Sequence, residues 1–293
     1  MSLIFGELGS SRIVAIANEM RKLYVKRVTE RYSIQGIKYC PWLGLDNFLP
    51  KGSIGNLMFE NYTKPTIELS PAQLTTLKQL STFKRTNKLL VDPLEDWTIL
   101  DGSDQKTVSA TGNLFKNAHN ILVSSSEYFA ILFREIIDIV VPLNDYLDFE
   151  RGFSNHYTKG AIFLSPRSGY FAEIKLAISM AHEIGHQVLM LYQITDSIIL
   201  DGQKNIPVYS GVRKTFRPAM QTYHAAIALS FMILACDELA NYFDVEDKLN
   251  FIKSTKKDCT ENLLKTIEDL KKKCEFTPIG TAILNEIQDR LIN

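Results

Sequence analysis

The sequence predicts a mainly α protein with a small β element, an α+β fold whose helical core sets one histidine-bearing helix against a second, buried helix. Three observations carry that expectation. Beyond residue 112, apolar residues recur mostly at helical spacing. One short apolar run, Gly160 to Leu164, reads as a strand because turn-forming residues bound it. The stretch from Ala225 to Cys236 is apolar almost throughout, the mark of a helix enclosed on all sides.

Taken in order, Ile13 to Tyr32 is the first helical segment. Ser70-Pro71 followed by Gln73 is a helix start, with serine as cap and proline at the first helical position. From Leu90 to Gly112 the composition shifts to Asp, Pro, Gly, Ser and Thr, which marks a boundary or a long surface loop. The expected division is therefore 1–112, an N-terminal helical region and candidate for substrate or peptide recognition, and 113–293, the catalytic domain. Ser124-Ser125-Ser126-Glu127 resembles a cap leading into a central helix from Tyr128 to Val141, apolar over much of its surface. Arg151 to Lys159 reads as a polar loop, followed by the Gly160 to Leu164 strand and the turn Ser165-Pro166-Arg167-Ser168-Gly169. Leu176 to Gln193 is helical. Asp201-Gly202 opens a connection ending at Arg217-Pro218, where proline suits the first turn of a helix running to about Phe243. Val245 to Lys273 is an amphipathic surface helix whose lysines form a solvated face, and Thr277-Pro278 opens a last short one.

With 293 residues, 45% hydrophobic and 23% charged, the chain has the composition of an ordinary soluble globular protein. Its 33 basic and 33 acidic residues cancel, so no global field steers it to nucleic acid or an anionic membrane. Met1 to Arg12 lacks the basic flank and long apolar run of a secretory signal, and no apolar run approaches the roughly 20 residues of a membrane span. Cys40, Cys236, Cys259 and Cys274 show no C-x-x-C spacing, which suits reduced thiols and a cytoplasmic protein.

Residues 182 to 186 read His-Glu-Ile-Gly-His. On a helix this spacing sets two imidazoles on one face, where both can bind one metal ion. Ile178, His182, His186 and Leu189 share a stripe, so the histidines interrupt an apolar face and point inward, where bare imidazole nitrogens need a metal or hydrogen bonds. Gly185, an interior helical glycine costing about 1 kcal/mol relative to alanine, marks close approach by another group. His119 and His156 read as incidental, although the polar loop holding His156 could bring it to a cleft.

Two candidates compete for third ligand, His224 and Glu238. Fourteen residues apart on one continuous helix, they would stand roughly 21 Å from each other and could not share an ion. With Glu238, the site is a His-His-Glu zinc centre in which Glu183 is the base activating water for peptide hydrolysis. Asp237-Glu238-Leu239-Ala240-Asn241 is loosely like the glutamate helix of thermolysin-type peptidases, although Tyr242 stands where those carry aspartate. With His224, three neutral imidazoles leave open positions for substrate or oxygen on zinc, iron or copper.

Tyr209-Ser210-Gly211-Val212-Arg213, then Arg217-Pro218, then His224-Ala225 form a series that resembles the HExxH-motif peptide-modification family, 2-oxoglutarate-dependent peptide β-hydroxylases of ribosomal peptide natural-product pathways. The resemblance covers roughly Ser124 to Phe231, including Val141-Pro142-Leu143, the Gly160 to Leu164 strand and the His182 to His186 core. Many relatives carry proline and tryptophan where this chain has Gly211-Val212, and the first hundred residues show no match.

The resemblance implies an Fe(II)-, 2-oxoglutarate- and O2-dependent dioxygenase acting on a precursor peptide, with His182, His186 and His224 as metal ligands. The distal carboxylate of 2-oxoglutarate calls for a guanidinium, and Arg213 and Arg217 are the candidates. Glu183 would then orient a ligand histidine or bound water instead of serving as a hydrolytic base. A peptide could pair along the edge of the Ala161 to Leu164 strand. Zinc peptidase chemistry, and a protein that keeps its metal for structure alone, are the alternatives.

Overall fold

A computed structural model describes residues 2–33, 35–41, 65–74, 99–100, 102–144 and 152–292. Its helices are α1 (Gly6–Tyr32), α2 (Gln105–Ser125), α3 (Glu127–Ile136), α4 (Ala172–Tyr192), α5 (Ala219–Tyr242), α6 (Glu246–Lys273) and α7 (Pro278–Leu291). The strands are β1 (Ile139–Pro142), β2 (Gly152–Ser154), β3 (Ala161–Leu164), β4 (Pro207–Ser210) and β5 (Thr215–Pro218). This is the mainly α chain with a small β element that the periodicity indicates. Two compact units are interleaved along it: Met1–Met20, Ile121–Ile136 and Ala177–Asn293 form one, and Arg21–Asn120 with Ile137–Leu176 the other. Both units take residues from each side of position 112.

The second of these units holds a three-stranded sheet in the order β1-β3-β2. Strand β3 runs parallel to β1, pairing Ile139 with Ala161, and antiparallel to β2, pairing Gly152 with Leu164. All four β3 residues are buried. Being central, β3 has a neighbour on each side and no free edge, so the expected pairing of a peptide along it is corrected. Phe153 stacks on Phe163 with ring centroids 4.3 Å apart, and Val28, Ile37, Leu69, Leu74, Ile139 and Val141 complete the core.

Several boundaries differ from the sequence expectation, among them the start of α1, at Gly6 instead of Ile13. The helix expected from Tyr128 to Val141 ends at Ile136, and Ile139–Pro142 is strand β1. Ile-Val-Val is β-branched, and its continuous apolar character cannot distinguish a buried helix from a buried strand. Asp138 fixes the break: its carboxylate pairs with Arg21 at 3.1 Å, and its N–H donates to Gly160 at 2.7 Å. Within the expected polar loop, Gly152–Ser154 is strand β2, while Arg151 lies outside the described residues. Much of the expected boundary, Leu90 to Thr98 and Asp101, also lies outside them, but Gln105 to Gly112 is helical. Asp104 caps that helix, its Oδ1 accepting from the Lys106 and Thr107 N–H groups at 3.1 and 3.2 Å. The expected start at Ser70 is a reciprocal cap: Gln73 N–H donates to Ser70 Oγ at 3.3 Å, and Ser70 N–H donates to Gln73 Oε1 at 2.8 Å.

The other unit is built around α5, whose residues from Ala225 to Ala235 are nearly all buried. It is the one described helix long and apolar enough to cross a membrane, and 78% of that apolar window is buried within the protein. The chain start is tied to α7 by Glu286, whose carboxylate accepts the N–H groups of Leu3 at 2.6 Å and Phe5 at 2.9 Å. Tyr192 donates to Leu3 O at 2.5 Å, and Tyr128 donates to Ile4 O. These bonds seat Phe5 against Phe231, which also meets Phe129 and Tyr128. All four cysteines are buried and free of disulfides.

The connection expected between Asp201 and Pro218 contains the antiparallel hairpin β4–β5, with Val208 opposite Arg217 and Tyr209 opposite Phe216. Alternation is hard to see because a strand of four residues flanked by prolines offers few periods. Gly211 lets the hairpin lie on α6, since a Cβ there would stand 2.3 Å from the carbonyl oxygen of Asn262. Its N–H donates to Thr266 Oγ1 at 2.9 Å.

In the sheet-bearing unit, Lys159 is only 2% exposed and its ammonium donates to the His156 carbonyl at 2.7 Å. Among the described residues it has no carboxylate partner. Burial, aided by the charge of Arg27, pushes it down to about 8. Between pH 8 and the ordinary lysine value the unfolded chain binds the extra proton, so stability rises with pH across that window. Lys159→Met is expected to be more stable than wild type at pH 7 by on the order of 1 to 3 kcal/mol. That gap should close by pH 10 in denaturant titrations of the two proteins.

Candidate metal centre

Helix α4 carries His182, Glu183 and His186 in Ala-, Leu-, Ile- and Met-rich sequence, uninterrupted by proline. Its partner is α5. His182 meets Met232, Gly185 meets Ala228 and Phe231, His186 meets His224, and Gln193 meets Met220. As the α4 number rises the α5 number falls, so the helices run antiparallel. A Cβ on Gly185 would lie 3.1 Å from the Phe231 ring and 3.2 Å from Ala228 Cα. The glycine thus permits the close approach that brings histidines on the two helices together.

The two motif histidines converge. Their Nε2 atoms are 3.1 Å apart, and the rings meet edge to face with centroids 4.7 Å apart. A metal that binds imidazole at about 2.1 Å would hold two such nitrogens about 3.0 to 3.4 Å apart, for coordination angles from octahedral to tetrahedral. The donor spacing therefore fits a shared ion. Nδ1 of His182 lies 3.2 Å from Met232 Sδ. Thioether sulfur only accepts, so the proton of that bond sits on Nδ1, and in the neutral ring Nε2 then holds the lone pair. His186 is held well below the ordinary histidine range by burial, then by the His182 and Arg217 charges, and so is neutral and able to act as a ligand.

Glu183 is 1% exposed, with its carboxylate 3.8 Å from His182 Nε2. One potential ligand atom from each of His182, Glu183 and His186 lies within 4.8 Å of the others. His224, the expected third ligand, is not in this group; its ring centroid lies 5.5 Å from that of His186. Its Nε2 is 3.1 Å from Gln193 Oε1, and the Gln193 amide nitrogen donates to Met220 Sδ at 3.0 Å. Both acceptors fix the orientation: the amide oxygen faces His224, so Nε2 carries a proton, and in the neutral ring Nδ1 holds the lone pair. To join an ion, His224 must use Nδ1 or release Gln193.

The remaining candidates are spread more widely. Arg217 is half-buried on β5, and its charge acts on His186. Arg213 is exposed in the turn of the hairpin. Glu238 lies fourteen residues beyond His224 on the continuous α5, about 21 Å along the axis. Its carboxyl is raised by burial and by Asp237, while a hydrogen bond with Ser126 acts the other way. Met232, which fixes the tautomer of His182, lies between the two, so Glu238 is carried past the motif histidines. His119 contacts Asn120 at 3.4 Å, and His156 is pushed down to about 4 by burial and Lys159; both belong to the sheet-bearing unit. Gln193 and Met232, which orient two of the imidazoles, escape sequence reasoning because a glutamine and a methionine in apolar helices carry no motif.

Gly185→Leu is expected to force the two helices apart, at a cost of about 1 to 3 kcal/mol in thermal or denaturant unfolding, and to weaken metal binding. In equilibrium dialysis, His182→Ala and His186→Ala should each lose the ion, whereas Glu238→Ala should retain it. No protein-family model matches the chain, and no curated protein matches it in sequence.

Proposed function

We propose that the chain is a cytoplasmic Fe(II)/2-oxoglutarate-dependent dioxygenase that hydroxylates the β-carbon of a residue in a ribosomally made peptide. The observation that carries this reading is the pair of imidazole Nε2 atoms 3.1 Å apart on a helix packed against the one bearing His224. His182 and His186 would hold the iron, with His224 as the third ligand. When bound, iron with 2-oxoglutarate and dioxygen supplies the oxidising chemistry: the co-substrate loses carbon dioxide to become succinate with one oxygen atom, and the other enters the substrate C–H bond.

The chain's own residues bind and orient. Arg217, close enough for its charge to act on His186, is better placed than the exposed Arg213 to receive the distal carboxylate of 2-oxoglutarate, and guanidinium can do so through two parallel hydrogen bonds. Met232 and Gln193 hold the tautomers of His182 and His224, as partners of metal-bound histidines commonly do. Glu183, buried beside His182, is positioned to orient that ring or a bound water. The zinc peptidase alternative would require Glu238 as third ligand, and its place along α5 lends that reading no support.

With Fe(II), 2-oxoglutarate and oxygen, the protein should form succinate, and formation should rise with a substrate peptide. Arg217→Lys should raise the KM for 2-oxoglutarate by roughly ten- to a hundredfold, the loss of a bidentate charge-assisted pair. Chelator-sensitive peptide cleavage without oxygen, and no succinate, would replace this account with hydrolysis.

A further inference from the structure

The reading above calls for a peptide, and the buried central strand β3 cannot take one by edge pairing. The β4–β5 ribbon can. Its register sets Pro207 opposite Pro218, two residues without N–H groups, so that pair cannot exchange ladder hydrogen bonds. By alternation, Val208 with Arg217 and Ser210 with Thr215 are the bonded pairs, while Tyr209 and Phe216 turn their backbone groups outward. Tyr209 confirms the parity, since its N–H donates to Asp269 Oδ2 at 2.6 Å on the side away from β5. The outward N–H and C=O of Phe216, a residue 60% exposed, meet no partner among the described residues.

We propose that this open edge of β5 is the docking strand for an extended, acidic peptide, which adds to the ribbon as a third strand. The charge of the occupant follows from the hairpin. From Pro207 to Pro218 it carries Arg213, Lys214 and Arg217 and no acid, and Lys273 lies 4.6 Å from the Phe216 ring. Asp269, a carboxylate beside the ribbon, is engaged by Lys273 at 2.8 Å and by the Tyr209 N–H. Pro218 has no N–H, so Phe216 is the one outward donor within β5, which disfavours indiscriminate sheet growth and suits one short strand.

The two faces of the ribbon would read alternate residues of that peptide. Phe216 shares the outer face with Tyr209, ring centroids 5.9 Å apart. Arg217 shares the other with the buried Val208. A peptide residue opposite Arg217 therefore enters the face bearing the candidate co-substrate cation, and Pro218 leads directly into α5 with His224 in its second turn.

The test uses the metal-free full-length protein with a pool of random acetylated, amidated octapeptides, identifying retained members by mass spectrometry. Enrichment in Asp and Glu among β-forming residues is expected. Phe216→Pro, which removes the outward N–H, should weaken retention at least tenfold. A bound acidic peptide should also slow hydrogen exchange of the wild-type Phe216 amide at least tenfold. No enrichment, enrichment in basic peptides, or unchanged retention by Phe216→Pro with unslowed exchange would overturn the proposal. Neither iron nor 2-oxoglutarate is present, so docking without succinate formation would sink only the oxygenase reading, and succinate formation without docking only this one.

Discussion

The antiparallel contact of α4 with α5 at Gly185 is the constraint on which the candidate site depends. A residue with no side chain sits where a Cβ would press on Phe231 and on Ala228 Cα. That approach sets His182 beside Met232 and His186 beside His224. Phe231 is itself held by Phe5 and Phe129, and Phe5 by the Glu286 carboxylate. The chain start and α7 thus contribute to the geometry of the imidazoles without touching them.

Two sulfur atoms and one amide tune the histidines. Met232 leaves the lone pair of His182 on Nε2, while Gln193, itself aligned by Met220, leaves that of His224 on Nδ1. Thioethers are weak acceptors, so these contacts set proton positions while leaving the rings comparatively free to adjust. Burial and nearby positive charge keep His186 neutral. A neutral His186 keeps a nitrogen lone pair that an ion could take.

Much of this was legible in the sequence because the motif and helices express it locally. The i, i+4 histidines, the helical glycine, Pro218 before α5 and the cap at Ser70 each encode their role within a few residues. The parts that were not legible depend on partners distant in sequence. Asp138 ends α3 through Arg21 and Gly160, and β-branched Ile139 to Val141 then joins a sheet that alternation could not reveal. Whether β3 would be central or at an edge depended on β2, three residues hidden in a polar stretch. The hairpin rests on α6 through Gly211, whose need for a bare backbone is set by Asn262, distant in sequence. Gln193 and Met232 are recognised only by what they touch.

The most direct measurement is a crystal structure of the protein loaded anaerobically with Fe(II) and 2-oxoglutarate. The account predicts iron bound by Nε2 of His182 and Nε2 of His186, a ring nitrogen of His224 as third protein ligand, and the co-substrate carboxylate on an arginine of β5. Iron held by a carboxylate of the chain in place of His224, with that ring still on Gln193, would contradict it.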